Sequence, residues 1–352
     1  MTNLNNNTLH VAKFNKKDEF YTQLSDIERE LQYYFSSFKD KIVYCNCDDA
    51  YRSNFVKYFI LNFNNLGLKK LIATCIGKSR VIKTQLTLEQ SILGIQQESS
   101  FKQRSMKLEI NEVLEHEGDS VVDYSDVNYQ LQNPNNKMTL LEGNGDFRSV
   151  ECIELMKQSD IIVTNPPFSL FRDYVAQLVK YDKQFLIIGN INVITYKEIF
   201  AHIKDNKIWL GINLGRGISG FIVPDTYELY GTETEIDEHG NRIISPNNCL
   251  WLTNLDNHVR HELIKLTKTY LGNESKYPIY DNYDAINVNK TTEIPYDYAG
   301  VIGVPITFLH KFNPEQFEII KFRKGNDDKD LSVGGKCPYF RILIRNRQPS
   351  LS

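Results

Sequence analysis

Cysteine is scarce and poorly spaced for a structural role. The six are Cys45, Cys47, Cys75, Cys152, Cys249 and Cys337, with no CxxC pair among them. That spacing excludes a zinc ribbon and offers no disulfide framework, so the thiols read as the reduced cysteines of a cytoplasmic protein. Cys45 and Cys47 share one face of an expected strand, but two thiols alone make a poor metal site. Positive charge is lacking as well. Lys and Arg number 41 against 44 Asp and Glu, for a net charge of −3. A global field that coats nucleic acid is thereby excluded, and any such contact must come from local basic patches. No run of 18 apolar residues occurs and residues 1–7 are polar, so neither a membrane span nor a signal peptide is expected. His258 and His261 stand three apart without a carboxylate–histidine constellation around them, and no metal site is expected.

What the chain does have is core-forming material: 41% hydrophobic residues, with 20 Tyr and 19 Phe that also supply rings for stacking on bases. Its 352 residues suggest two domains, or one large domain with an insertion. Short apolar runs alternate with helical periodicity. Residues 41–47 read as a buried strand, 54–66 as a helix capped by Gly67, and 69–76 as the next strand, which together make a βαβ unit. Ser25 and Glu28 have the form of a capping box ahead of a helix running to about 35. Residues 77–137 are polar and read as an insertion, with a strand expected at 106–113 and loop at 123–137. The rhythm resumes with strands at 138–142, 160–164, 184–189 and 207–211 and helices at 150–158, 169–181 and 196–204. Such alternation predicts an α/β fold with a mostly parallel sheet covered on both faces. After about 216 the alternation fades into an α+β region, with strands at 248–252 and 339–344 and a helix at 256–269. The domains expected are therefore 1–76 with 138–215, the 77–137 insertion, and 216–352.

The sharpest chemical signal is DIIVTNPPF at 160–168. A hydrophobic strand runs directly into Asn165-Pro166-Pro167-Phe168, and in an open parallel sheet ligands bind beyond the carboxyl ends of the strands. Two prolines fix the backbone and donate no N–H, so the turn is stiff and presents carbonyl oxygens. This suits methyl transfer to the amino group of adenine, whose lone pair is delocalised into the ring. The Asn165 side-chain oxygen and the Pro166 carbonyl would accept its two hydrogens and aim the lone pair at a sulfonium methyl. Phe168 would stack on a base flipped out of the duplex. Methyltransferases acting on RNA or on protein amides use similar loops, and they form the alternative, with a non-catalytic DNA-binding relative as a second.

Three weaker signals accompany it. KKDEFYT at 16–22 resembles the N-terminal cofactor-binding motif of amino-methylating DNA methyltransferases, placing Tyr21 and Thr22 near the methionine end of S-adenosylmethionine. Gly143-Asn144-Gly145-Asp146-Phe147 ends a strand with an Asp suited to the adenine amino group of that cofactor and with Phe147 against its ring. Cys47-Asp48-Asp49 ends the first strand, where an Asp suits the methionine ammonium or a ribose hydroxyl. The glycine-rich turn usual there is absent, and the second strand ends without an acidic residue.

Four stretches, VYCNCDD, NFVKYFILNF, GDFRSVECIELMKQSDIIVTNPPFSLFRDYV and FLIIGNINVITYKEIF, resemble the EcoRI-type adenine-specific DNA methyltransferase family. The resemblance runs from about 16 to 211 and more loosely through 304–320. It implies a class I, Rossmann-like methyltransferase fold with a C-terminal target-recognition region, S-adenosylmethionine as cofactor, adenine N6 as target, and catalytic roles for Asn165, Pro166 and Phe168. Double-stranded DNA would be the partner, gripped through basic residues such as Lys78, Arg80, Lys102, Arg104, Arg323 and Lys324. A companion restriction endonuclease would share the system without forming a stable complex.

Overall fold

Apolar runs too short to be helices make the central strands of a sheet, and the amphipathic segments between them cover it. The computed structural model describes residues 21–76, 105–114, 124–214, 219–223, 234–237, 240–245 and 248–350. The chain divides into two units, 1–192 with 213–255, and 193–212 with 256–352.

In the first unit the strands are β1 (Tyr21–Thr22), β2 (Ile42–Cys45), β3 (Lys70–Thr74), β4 (Met106–Ile110), β5 (Lys137–Leu140), β6 (Ile161–Thr164) and β7 (Gln184–Asn190). After β8 (Trp209–Leu214), where the chain passes from the second unit back to the first, come β9 (Phe221–Val223), β10 (Thr234–Ile236), β11 (Arg242–Ile244) and β12 (Cys249–Thr253). Within this unit the central sheet runs β5-β4-β3-β2-β6-β7-β12. β3, β2, β6 and β7 are parallel neighbours, whereas β4, β5 and β12 join antiparallel. The sheet is therefore mixed, with a parallel centre. The expected strand near 106–113 exists, but it is an integral member of the sheet between β3 and β5. β1 joins a separate small sheet, β1-β9-β11-β10.

Helices α1 (Leu24–Leu31), α2 (Asn54–Leu61), α3 (Phe63–Leu66), α4 (Tyr124–Gln130), α5 (Val150–Gln158) and α6 (Phe171–Lys180) belong to this unit. Alternate strand residues Val43, Leu71, Ile161, Val163, Leu186 and Ile188 share one buried cluster with Ile27 and Leu31 of α1 and Phe55, Val56 and Phe59 of α2. Phe55 meets Trp251 of β12 edge-on at 6.0 Å, and each such ring contributes roughly 1.5–3 kcal/mol by burial. The intervening strand residues face the other way. There Gly189 of β7 lies under Phe171 of α6: a Cβ at this position would come within 2.7 Å of that ring, so its absence lets α6 sit down on the sheet.

Polar side chains decide where the elements end, and here the sequence misled. The capping box does not form: α1 starts at Leu24 with Gln23 as N-cap and no side-chain cap. The first-turn carboxylate of Asp26 instead accepts hydrogen bonds from Ser219 N and Oγ. Residues 123–137 are not loop throughout, because α4 spans Tyr124–Gln130. Its Asn-rich tail closes the helix, with Asn136 Nδ2 donating to the carbonyls of Gln130 and Glu112 at 2.8 and 2.7 Å.

The second unit holds α7 (Lys197–Lys204) and the strands β13 (Ile279–Tyr280), β14 (Tyr283–Asn287), β15 (Val301–Pro305), β16 (Phe317–Phe322) and β17 (Arg341–Asn346), in the order β13-β14-β15-β17-β16. Phe200 of α7 stacks on Phe322 of β16 at 4.9 Å. The helix expected at 256–269 is a single 3-10 turn, His258–His261. Asn257 caps it by accepting from Arg260 N, and Gln316 then grips both the N–H and the carbonyl of Ile264 (2.8 and 2.9 Å), holding the chain out of a helix. The division between units falls at 255/256, with 193–212 joining the second. Among the described residues no helix is long and apolar enough to cross a membrane.

Candidate active site

β2 is the strand at which the sheet changes direction. The chain leaves it through α2 to β3 on one side, and β6 lies on the other. A crevice opens beyond the carboxyl ends at such a switch point. The register pairs Tyr44 with Ile162, so Asn46 and Thr164 stand level at the two strand ends.

Beyond β6, Asn165 is half-buried, Pro166 buried, and Pro167 and Phe168 half-buried. Asn165 Nδ2 donates to Thr22 Oγ1 at 3.4 Å, which turns the amide oxygen to the other side. Thr22 is itself fixed: its carbonyl accepts from Asn54 Nδ2 at 2.8 Å, and β1 pairs with β9. The Pro167 carbonyl accepts from Leu170 N at 3.0 Å, starting the turn into α6, whereas no backbone N–H among the described residues donates to the Pro166 carbonyl. Phe168 packs edge-on against Phe221 of β9 at 6.2 Å. Thus 143 residues of separation close into one site, in which the YT pair and the NPPF loop are neighbours.

Beyond β2 the acidic pair splits its tasks. Asp48 is buried and accepts from Ser53 Oγ at 2.6 Å and from Thr164 Oγ1 at 2.5 Å. Burial pushes its carboxyl up to about 6, with the two hydroxyl bonds opposing the rise. Asp49 Oδ1 accepts from Tyr51 N and Arg52 N, closing the turn into α2, while Oδ2 accepts from the Cys75 thiol at 3.9 Å. An acidic group therefore does reach the end of β3, delivered from β2. The Cys47 thiol is pushed well above its ordinary value, first by burial and then by the neighbouring Asp48 carboxylate, so it stays protonated.

Gly145 brings the third strand end in. Its φ is +73° and a Cβ would lie 2.1 Å from the Cys75 carbonyl, so only glycine lets the loop after β5 press onto the end of β3. Asp146 follows, close enough for its charge to act on Cys47. Its carboxylate is held by Arg148 at 2.9 and 2.7 Å, and this pairing keeps it below the usual carboxylate range. Phe147 is buried edge-on against Tyr174 of α6 at 4.9 Å, so its ring supports the loop from beneath.

Several participants were not singled out in the sequence. Thr164 looked like an ordinary strand residue, Tyr174 like a helix core residue and Asn54 like a helix start. Yet the Tyr174 hydroxyl donates to Asn46 Oδ1, and the buried Nδ2 of Asn46 has no protein partner among the described residues. A polar residue at a strand end, level with the NPP loop, was the clue available for Asn46 and Thr164.

Of the basic residues, Arg323 and Lys324 both bind one carboxylate, Asp330, the first through two bonds of 2.9 Å and the second at 3.0 Å. Lys78, Arg80, Lys102 and Arg104 lie outside the described residues. His261 is bonded to Asp256 and Glu315, and no group of three His, Cys, Asp or Glu is arranged to hold a metal among the described residues. A cavity of about 30 Å³ lies wholly within the second unit, lined by Trp209, Arg260 and His310 among others; it has room for about one water and contains none of the candidate residues.

Residues 8–347 match the family described as adenine-specific methyltransferase EcoRI. The chain is 61% identical over 346 residues to type II methyltransferase M.EcoRI of Escherichia coli, covering 98% of each. It is 35% identical over 355 residues to type II methyltransferase M.MpnI of Mycoplasma pneumoniae, covering 96% of this chain and 97% of the relative. No solved structure matches the chain.

Proposed function

The chain belongs to the adenine-specific methyltransferase EcoRI family and is a site-specific adenine DNA methyltransferase, and from that premise we propose that the Asn165–Phe168 loop is its catalytic centre and S-adenosylmethionine its methyl donor. The observation that carries this is the grip of Thr22 on Asn165 Nδ2 at the switch point of the sheet. With its nitrogen held, the amide offers its oxygen to one hydrogen of the adenine N6 amine, and the Pro166 carbonyl takes the other. The amine is drawn toward tetrahedral geometry and its lone pair leaves the ring. Held so, the nitrogen would take the methyl group that a bound sulfonium donor would supply, and the proton it sheds would pass to solvent. Phe168 supplies a face for the flipped base.

The residues present fit the donor. Asp49 and Asp146 place carboxylates at the strand ends where a sulfonium and an ammonium are to be held, beside the buried Asp48. Asp49, beside Cys75, takes the place of the acidic residue that β3 lacks. Asn46 Nδ2 offers a buried donor in want of an acceptor. Bound there, the donor supplies an activated methyl group; Tyr21, Thr22 and Cys47 line the same strand ends. In this reading the first unit is a class I, Rossmann-like catalytic domain and the second carries target recognition, with Arg323 and Lys324 facing phosphates. Duplex DNA is the substrate, and a companion endonuclease acts on the same site without stable association.

The test is transfer of labelled methyl from S-adenosylmethionine into unmethylated duplex DNA, followed by nucleoside analysis. Label is expected as N6-methyladenine. Label on another base, or none while the donor is bound, overturns the proposal.

A further inference from the structure

Asp48 is buried at the switch point with no cation facing it among the described residues, although an unpaired buried carboxylate is costly. Its two oxygens are each engaged by a buried hydroxyl. Ser53 donates to Oδ1 at 2.6 Å, and Ser53 Oγ in turn accepts from Phe55 N at 3.1 Å as the N-cap of α2. Thr164 donates to Oδ2 at 2.5 Å. The Asp48 N–H donates to the Thr74 carbonyl at 3.0 Å, at the end of β3. One residue thus ties together the ends of β2, β3 and β6 and the start of α2. The residue after Thr164 is Asn165.

We propose that Asp48 is a positioning residue for the catalytic loop, acting through Thr164, and not a ligand of the methyl donor. This rests on the function proposed above. A carboxylate only accepts, so it fixes both hydroxyls as donors and locks the Thr164 side chain in one direction. The backbone leaving β6 then enters Asn165-Pro166 at a set angle, and Thr22 completes the aim from the other side. A neutral residue in place of Asp48 would let Thr164 choose among rotamers and partners. Neighbouring titratable groups leave this arrangement intact near neutral pH. Asp49 and Cys47 lie on the same loop, Cys45 ends β2, and Tyr174 comes from α6; both thiols and the phenol are pushed well above their ordinary values and stay neutral. Protonating Asp48 is therefore the local event that loosens Thr164 as the medium turns acid.

The experiment compares wild type, Asp48→Asn, Thr164→Val, Thr164→Ser and the double variant Asp48→Asn/Thr164→Val. Donor affinity is measured by calorimetry and single-turnover methyl transfer into duplex DNA across pH. Asp48→Asn and Thr164→Val are each expected to slow transfer on the order of ten- to a hundredfold, with donor Kd changed by less than about threefold. Thr164→Ser, which keeps the hydroxyl, recovers most of the rate lost in Thr164→Val. The double variant is no slower than the worse single, because both remove one interaction. The acid limb of the wild-type rate profile is missing in Asp48→Asn. A loss of donor affinity above about tenfold in Asp48→Asn, with the rate at saturating donor unchanged, makes Asp48 a ligand and overturns the proposal. Additive losses in the double variant overturn it as well. Wild-type protein that binds donor yet leaves DNA unlabelled overturns the functional reading itself, an outcome distinct from either.

Discussion

Asn165 and Asp48 occupy neighbouring strand ends and use polarity in opposite ways. The Asn165 amide is half-buried and held at its nitrogen end by Thr22. Asp48 is buried and gives both oxygens to protein hydroxyls. The cost of that burial appears in stability. In the folded chain the carboxyl is pushed from 3.8 up to about 6. Between those values the folded protein keeps a proton that the unfolded chain has released, so stability falls as pH rises through this window and levels off above it. Two pKa units correspond to about 3 kcal/mol at most. Asp48→Asn lacks this step. Thermal melts are therefore expected to show the wild-type advantage over Asp48→Asn shrinking between about pH 4 and pH 6 and staying constant above; a difference that does not change with pH would rule out burial as the cause.

At the scale of elements, placement of the catalytic loop depends on α6 seating closely on β7. Gly189→Ala puts a methyl within 2.7 Å of the Phe171 ring. Overpacking of this kind costs about 1–3 kcal/mol, and since α6 begins three residues after Phe168 the loop must move with it. Gly189→Ala is expected to lower both the melting temperature and the methyl-transfer rate; an unchanged rate at full occupancy of donor would mean that loop and helix are uncoupled. The same elements explain what was readable beforehand. Strands β2, β3, β6 and β7 and helices α2, α5 and α6 follow from apolar period, and Gly67, expected as a helix cap, is the left-handed residue that ends α3. The NPPF loop was readable because prolines dictate backbone locally. Features that depend on partners far along the chain were not readable. Asp26 answers to Ser219, Ile264 to Gln316, and Thr164 to Asp48, and no local pattern encodes such pairs. Met106–Ile110 read as part of an insertion because its polar flanks hid its place between β3 and β5.

At the scale of the whole molecule, a net charge of −3 leaves DNA binding to local cations. Arg323 and Lys324 share Asp330, so the trio carries one net positive charge. Replacing both with Ala is expected to weaken binding of duplex DNA and to reduce the slope of log K against log salt by about 1, where two unpaired cations would give about 2. A slope that does not move would place the phosphate contacts elsewhere on the chain.

The most direct test of the central claim is Asn165→Ala, assayed for donor affinity by calorimetry and for single-turnover methyl transfer to adenine in duplex DNA. The account predicts donor Kd within a few-fold of wild type and a rate lower by about a hundred- to a thousandfold, the scale on which one preorganised hydrogen-bonding group acts. Equal loss of affinity and rate, or a rate close to wild type, would contradict the assignment of Asn165 as the residue that holds the adenine amine.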